Sequence, residues 1–161
     1  MNVSFYVLTE NKAQDFLGFV CQLTQTALNK SNQSLLILID DDELLATLDK
    51  ALWVQEATSF IPHQCLLDSN IEGTDINVVH TDINYKVLAP VLLSPYMPAN
   101  FKGMVLNTTI HPVNTFISAT INAQPTRVLE LIKPDATSVQ EGRHKYKSYQ
   151  KLGYELTHFN V

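Results

Sequence analysis

Glycine is scarce in this chain, with five residues in 161. The first strand-to-helix turn, Leu8-Thr9-Glu10-Asn11-Lys12-Ala13-Gln14, contains none. A dinucleotide pyrophosphate needs that turn to be tight and open to backbone approach, so its absence argues against a dinucleotide-binding domain. Glu10 would also repel phosphate at the following helix N-terminus. No G-x-x-x-x-G-K-[ST] motif is present, which removes the P-loop. No G-x-S-x-G nucleophile elbow occurs. The five histidines, at 63, 80, 111, 144 and 158, show neither H-x-x-x-H nor H-E-x-x-H spacing, and no CxxC accompanies them, so no metal site is expected. Cysteine is limited to Cys21 and Cys65 in unrelated contexts, which predicts reduced thiols and a cytoplasmic protein rather than a disulfide framework. No apolar run reaches the length of a membrane span. The opening MNVSFYVLTE lacks a charged n-region and a long apolar stretch, so no signal peptide is expected.

What is present fits one α/β domain over residues 1–161. Hydrophobic residues make up 45%, enough for a proper core. Val3–Leu8 and Leu35–Ile39 read as buried strands, the second apolar at every position, as a sheet covered on both faces requires. Residues 12–29 place Phe16, Phe19, Val20, Leu23 and Ala27 at three- and four-residue steps, which predicts a helix with one core face. Cys21 within it reads as a small buried hydrophobe. A second helix runs to about Trp53 with Leu44, Leu45, Leu48 and Leu52 inward. Further strands are expected at 91–93, 104–108 and 128–132, with a short helix after Pro112. The alternation predicts a Rossmann-like, mostly parallel sheet flanked by helices, without a nucleotide-binding glycine loop. Residues 66–88 read as an irregular or hairpin insertion.

The charge of −5 and pI near 5.4 make the chain a poor general nucleic-acid binder, because such affinity rests on phosphate neutralisation by Lys and Arg. Yet Arg143, Lys145, Lys147 and Lys151 supply four of the eleven basic residues within nine positions, with Tyr146 and Tyr149 between them. At 100° per residue Arg143, Tyr146, Lys147 and Gln150 share one helix face. Tyr149, Leu152 and Val139 are expected on the core side, Thr137 or Ser138 at the N-cap, and Gly153 at the C-terminal stop, followed by a short extended tail. The basic face reads either as solvated surface with cations at a helix C-terminus or as a docking site for an acidic segment with an apolar anchor. A third reading has Tyr146 and Tyr149 stacking on single-stranded DNA.

Asp40-Asp41-Asp42-Glu43 follows a strand and admits two readings. It could hold magnesium in a nucleotide- or phosphate-acting enzyme at the carboxyl edge of the sheet. Alternatively it is an N-cap plus carboxylates complementing a helix dipole. His63 and Cys65 could form a nucleophile–base pair, but adjacent side chains of one loop are a weak pattern.

Several passages, in order and spacing, resemble a known family. Leu48-Asp49-Lys50-Ala51-Leu52-Trp53 is followed by Ser59-Phe60-Ile61-Pro62-His63. Ala89-Pro90-Val91-Leu92-Leu93 precedes Val105-Leu106-Asn107. Gly142-Arg143-His144-Lys145-Tyr146-Lys147-Ser148-Tyr149 then leads to Gly153-Tyr154. With the SFYVL start, these resemble the chi subunit of bacterial DNA polymerase III, part of the clamp-loader assembly. The resemblance implies a Rossmann-like fold without nucleotide binding, no catalytic activity and no cofactor. It implies a heterodimer with the psi subunit and binding of the acidic C-terminal tail of single-stranded DNA-binding protein. By matching positions, the tail site would be Arg143, Tyr146 and Lys147. The psi-facing site would be Trp53, Phe60, Ile61, Pro62 and His63, with Trp53 and Phe60 close together and partly on the surface. The family also allows a helicase at that second surface. Two departures stand out. Val139 occupies a position where family members can carry a further basic residue, and residues 64–88 are longer than the usual connection.

Overall fold

The structure, a computed structural model, describes residues 1–31, 33–54, 62–66 and 90–161, the side chains of Trp53 and Val54 excepted. Phe60 and Ile61, expected to face psi, the side chain of Trp53 and the insertion expected at 66–88, apart from Leu66, therefore lie outside the described residues.

Among the described residues seven strands form one sheet: β1 (Asn2–Val7), β2 (Leu35–Leu38), β3 (His63–Cys65), β4 (Val91–Ser94), β5 (Met104–Asn107), β6 (Arg127–Ile132) and β7 (Glu155–Asn160). Their order is β3-β4-β2-β5-β6-β1-β7. Every pairing is parallel, so the mostly parallel sheet expected from the sequence is wholly parallel among the described strands. Among the described residues five helices connect them: α1 (Glu10–Gln14), α2 (Phe16–Lys30), α3 (Asp42–Val54), α4 (Val113–Ile117) and α5 (Ala136–Lys151).

The all-apolar β2 is explained by burial on both faces. Leu35 and Ile37 join Val20 and Cys21 of α2 and Leu48 and Leu52 of α3 in one cluster. Leu36 and Leu38 point the other way, with Met97, Phe101, Val113 of α4 and Tyr149 of α5. Period-two alternation thus sorts one strand between two cores. Register carries the sorting across the sheet: Leu36 lies between Leu92 and Val105, and Ile37 between Leu93 and Leu106. Cys21 is 1% exposed, the small buried hydrophobe expected.

The helix expected over 12–29 is interrupted. Asp15 has φ −107 and ψ 54, closing α1 and opening α2, and its carboxylate accepts from the backbone N–H of Gly18 at 3.3 Å. The short aspartate side chain competes with helix continuation by bonding a backbone donor three residues on, a local effect that apolar periodicity does not register. The chain also pairs in two places where no strand was expected. β3 hydrogen-bonds beside β4. The C-terminal tail becomes six-residue β7, in register with all of β1 from Asn2↔Glu155 to Val7↔Asn160.

Candidate functional site

Helix α5 carries the basic run, and its start is set by Asp135, whose carboxylate accepts from the Ser138 N–H at 2.9 Å. Thr137 and Ser138, expected at this position, are instead inside the first turn. Ser138 accepts from the Lys133 N–H at 2.8 Å and ties the helix to the end of β6. At the other end Gly153 has φ +78. Its N–H donates to Gln150 O, and the Tyr154 N–H donates to Tyr149 O, a Schellman closure with the Tyr149 and Tyr154 rings 6.0 Å apart. The glycine stop read from the sequence is borne out.

The buried stripe of α5 is Gly142, Lys145 and Tyr149. Tyr149 was expected there; Leu152 and Val139 were too, and both are corrected. Leu152 is 51% exposed because it is the C-cap, past the last turn that the sheet covers. Val139 lies one face round, in the groove described below. Lys145, counted in the basic run but assigned to no face, turns inward. Its ammonium is buried, donating to Glu130 Oε1 at 2.9 Å and to the Thr109 carbonyl. Glu130 also accepts from the Asn107 amide at 2.9 Å and from the Tyr149 hydroxyl. Burial pushes the Glu130 carboxyl above its usual range, opposed by Lys145 and by the Tyr149 and Asn107 hydrogen bonds. Burial, then the Glu130 charge, pushes the Tyr149 phenol far upward. With its ring fully buried, Tyr149 offers no surface for stacking on a base, which removes half of the single-stranded DNA reading.

Arg143, Tyr146 and Lys147 do come together. They line one groove of about 360 Å³ between α5 and the β1/β7 edge, with Phe5, Val7, Ile132, Val139, Gly142 and His158. Its floor is apolar. The Tyr146 ring lies 5.7 Å from Phe5 and 5.3 Å from His158, and His158 stacks on Phe5 at 5.4 Å. Gly142 gives the groove its depth: a Cβ there would stand 2.7 Å from Ile132 Cδ1. Arg143 and Lys147 are exposed at the rim, and among the described residues neither forms an ion pair. The arrangement offers apolar walls, one guanidinium able to donate two parallel hydrogen bonds, and a second cation on the same rim. His158 escaped the sequence reading because it stands fifteen residues beyond Arg143, in a tail whose pairing to β1 was not anticipated.

The acidic cluster resolves toward its capping reading. Asp41 Oδ1 accepts from the N–H groups of Glu43 at 2.9 Å and Leu44 at 3.4 Å, while Asp42 and Glu43 occupy the first turn of α3. A cavity of about 340 Å³ does lie at the carboxyl edge of the sheet. It is lined by the carboxylates of Asp41, Glu130, Asp135 and Glu141 against the lysines 133 and 145, with Lys145 already committed to Glu130. Such a lining repels a phosphate group.

His63 and Cys65 both turn to Asp49 of α3. His63 Nε2 is 2.7 Å from Asp49 Oδ1, and the Cys65 thiol donates to the same oxygen at 3.7 Å. Burial, then the Asp49 charge and hydrogen bond, pushes the Cys65 thiol up to about 11, the opposite of an activated nucleophile. The His63 side chain is 1% exposed and fastens β3 to α3, while Pro62 beside it is exposed. Trp53 stands next to the end of α3. No helix among the described residues is long and apolar enough to cross a membrane.

Comparison with known proteins adds four findings. The family described as DNA polymerase III chi subunit, HolC, matches residues 1–157. The chain is 25% identical over 158 residues to DNA polymerase III subunit chi of Escherichia coli (strain K12), covering 96% of this chain and 95% of that protein. It is 26% identical over 155 residues to the subunit of that name from Pseudomonas aeruginosa, covering 96% and 92%. Among solved structures it resembles Mss116p DEAD-box helicase domain 2 bound to an RNA duplex. The TM-score is 0.64 at 10% identity over 100% of this chain and 65% of that one, a likeness of fold alone.

Proposed function

This chain belongs to the DNA polymerase III chi-subunit family, and on that premise we propose that it is a noncatalytic adaptor of bacterial DNA replication. It joins the clamp loader, through the psi subunit, to the acidic C-terminal tail of single-stranded DNA-binding protein. It works in the cytoplasm as one α/β domain over residues 1–161, with no cofactor.

The observation that carries the tail half of this reading is the groove of α5. An acidic tail that ends in an apolar residue needs an apolar slot with a fixed cation at its mouth. Arg143 takes the terminal carboxylate, Tyr146 walls the slot for the last side chain, and Lys147 attracts the acidic residues before it. The psi half rests on Trp53, Phe60, Ile61, Pro62 and His63, a stretch of sequence that begins in α3 and ends in β3. There the exposed Pro62 stiffens the segment, lowering the ordering cost of association. His63 contributes by holding β3 against α3 through Asp49. A helicase could compete for the same surface.

Calorimetry with the purified chain tests the tail half. The probe is a synthetic acidic peptide ending in proline and phenylalanine, with a free or an amidated C-terminus. Binding of the free-acid peptide and marked weakening on amidation are expected. Equal binding of the two would remove Arg143 from its role. For the psi half, co-purification with psi should survive in the parent and weaken in Phe60→Ala, with the variant still folded by circular dichroism.

A further inference from the structure

We propose that His158 is a second anion-binding side chain of the α5 groove, and that its protonation sets how tightly an acidic peptide with a free C-terminal carboxylate is held. This rests on the reading of the groove as an acidic-tail site and adds a residue and a control to it.

The geometry is specific. His158 sits on β7 in register with Phe5 of β1. Its ring completes a triangle with two aromatics, stacked on Phe5 with planes 19° apart and tilted 32° to Tyr146. It lines the groove on the wall facing α5, and it is the groove's one histidine. The side chain is exposed, and among the described residues its ring nitrogens have no hydrogen-bond partner. Two N–H donors are therefore free for a ligand once the ring is protonated.

The charged and titratable groups facing it are Arg143, Tyr146 and Lys147, all from α5. β1 and β6 present only Phe5, Val7 and Ile132. Of these side-chain types imidazole alone changes charge between pH 5 and 8. A polyanionic occupant brings its carboxylates within reach of the imidazolium N–H donors. Proton and peptide reinforce each other, and by linkage the peptide binds more tightly where the histidine is charged. The sign is fixed: affinity is higher on the acid side and falls as pH rises through the range in which imidazole loses its proton. Val139 sharpens the effect, because it leaves the start of α5 without a fixed charge in the groove.

The test is calorimetry with the free-acid peptide at pH 5.5 and 8.5, on the parent, His158→Gln and His158→Lys. The lower pH keeps the peptide carboxylates largely ionised. The parent should bind about threefold to fivefold more tightly at pH 5.5, the size of a favourable exposed charge pair. His158→Gln should lose that dependence and bind at both pH values as the parent does at 8.5. His158→Lys should bind tightly at both. A parent that binds with no pH dependence, or a dependence that persists in His158→Gln, overturns the role of His158 while leaving the groove intact. No binding by the parent at either pH overturns the tail reading itself, and this inference with it.

Discussion

Lys145 and Glu130 meet inside the protein, Nζ to Oε1 at 2.9 Å, with side chains 7% and 1% exposed. The pair clamps α5 to β6, and Tyr149 extends the clamp by donating to Glu130 and accepting from the Val113 N–H at 2.9 Å. The helix that presents the groove is thus fixed from its inner face by polar contacts as well as by packing. Removing one partner of such a pair leaves the other charge buried without compensation.

Lys145→Ala should therefore cost about 3–5 kcal/mol of folding free energy, the range for breaking a buried ion pair. Urea denaturation followed by circular dichroism reads this directly. A loss under about 1 kcal/mol, typical of an exposed lysine, would mean that water reaches Glu130.

The clamp also shows where the sequence could be read and where it could not. Strands covered on both faces, such as Leu35–Leu38, announce themselves by unbroken apolar runs. The inner faces of α2 and α3 do so by three- and four-residue spacing. Lys145 does not, because composition records a charge and not its direction. Within one basic run, Lys145 faces inward while Arg143 and Lys147 stay at the rim. Only the position of Glu130, fifteen residues earlier and one strand away, decides between them. β7 was obscured for a related reason. An edge strand is half solvated, so Glu155, Thr157 and Asn160 give no apolar alternation to detect. His158, the groove's far wall, was lost with it. The Arg143–Tyr146–Lys147 face was legible because helix periodicity alone assembles it.

The thiol of Cys65 should be slow to alkylate. With the thiol near 11, roughly one part in a thousand is thiolate at pH 8, and only thiolate reacts. Because the shift is upward, reactivity should climb steadily as pH rises toward 11. Asp49→Asn removes the charge but keeps an oxygen that can accept from the thiol, and it leaves the burial. Its rate at pH 8 should rise severalfold and stay below that of a free cysteine. Iodoacetamide labelling read by peptide mass spectrometry separates Cys65 from buried Cys21. Parent reactivity equal to that of a small free thiol would contradict the burial-driven shift.

Gly142→Ala separates folding from binding. Alanine gains about 1 kcal/mol of helix propensity over glycine. Its Cβ meets Ile132 Cδ1, the movable end of a side chain, so the steric cost can be partly relaxed. Net stability should change by about 1 kcal/mol or less. Ile132, however, lines the groove, so its shift reshapes the slot and tail-peptide affinity should drop severalfold. Thermal melts and peptide calorimetry on the same sample decide it. A variant with lower stability and undiminished affinity would place the peptide away from Gly142.

Arg143 and Lys147 share a rim but should not share the work equally. A guanidinium holds a carboxylate by two parallel hydrogen bonds in fixed geometry, whereas an ammonium on a flexible stem acts as a hydrated point charge. Arg143→Ala should accordingly cost about 2–3 kcal/mol of tail affinity. Lys147→Ala should cost roughly 1 kcal/mol or less, and mainly at low salt, because exposed charges are screened. In the parent, affinity should fall as salt rises yet persist in part, since the contact of the terminal ring with the Phe5–Tyr146 wall is apolar. Calorimetry of both variants across a salt series measures all three. If Arg143→Ala binds the peptide as tightly as the parent, the tail lies elsewhere and the basic face of α5 is solvated surface. If the two variants lose equal affinity, the rim attracts by charge alone and the bidentate role of Arg143 falls.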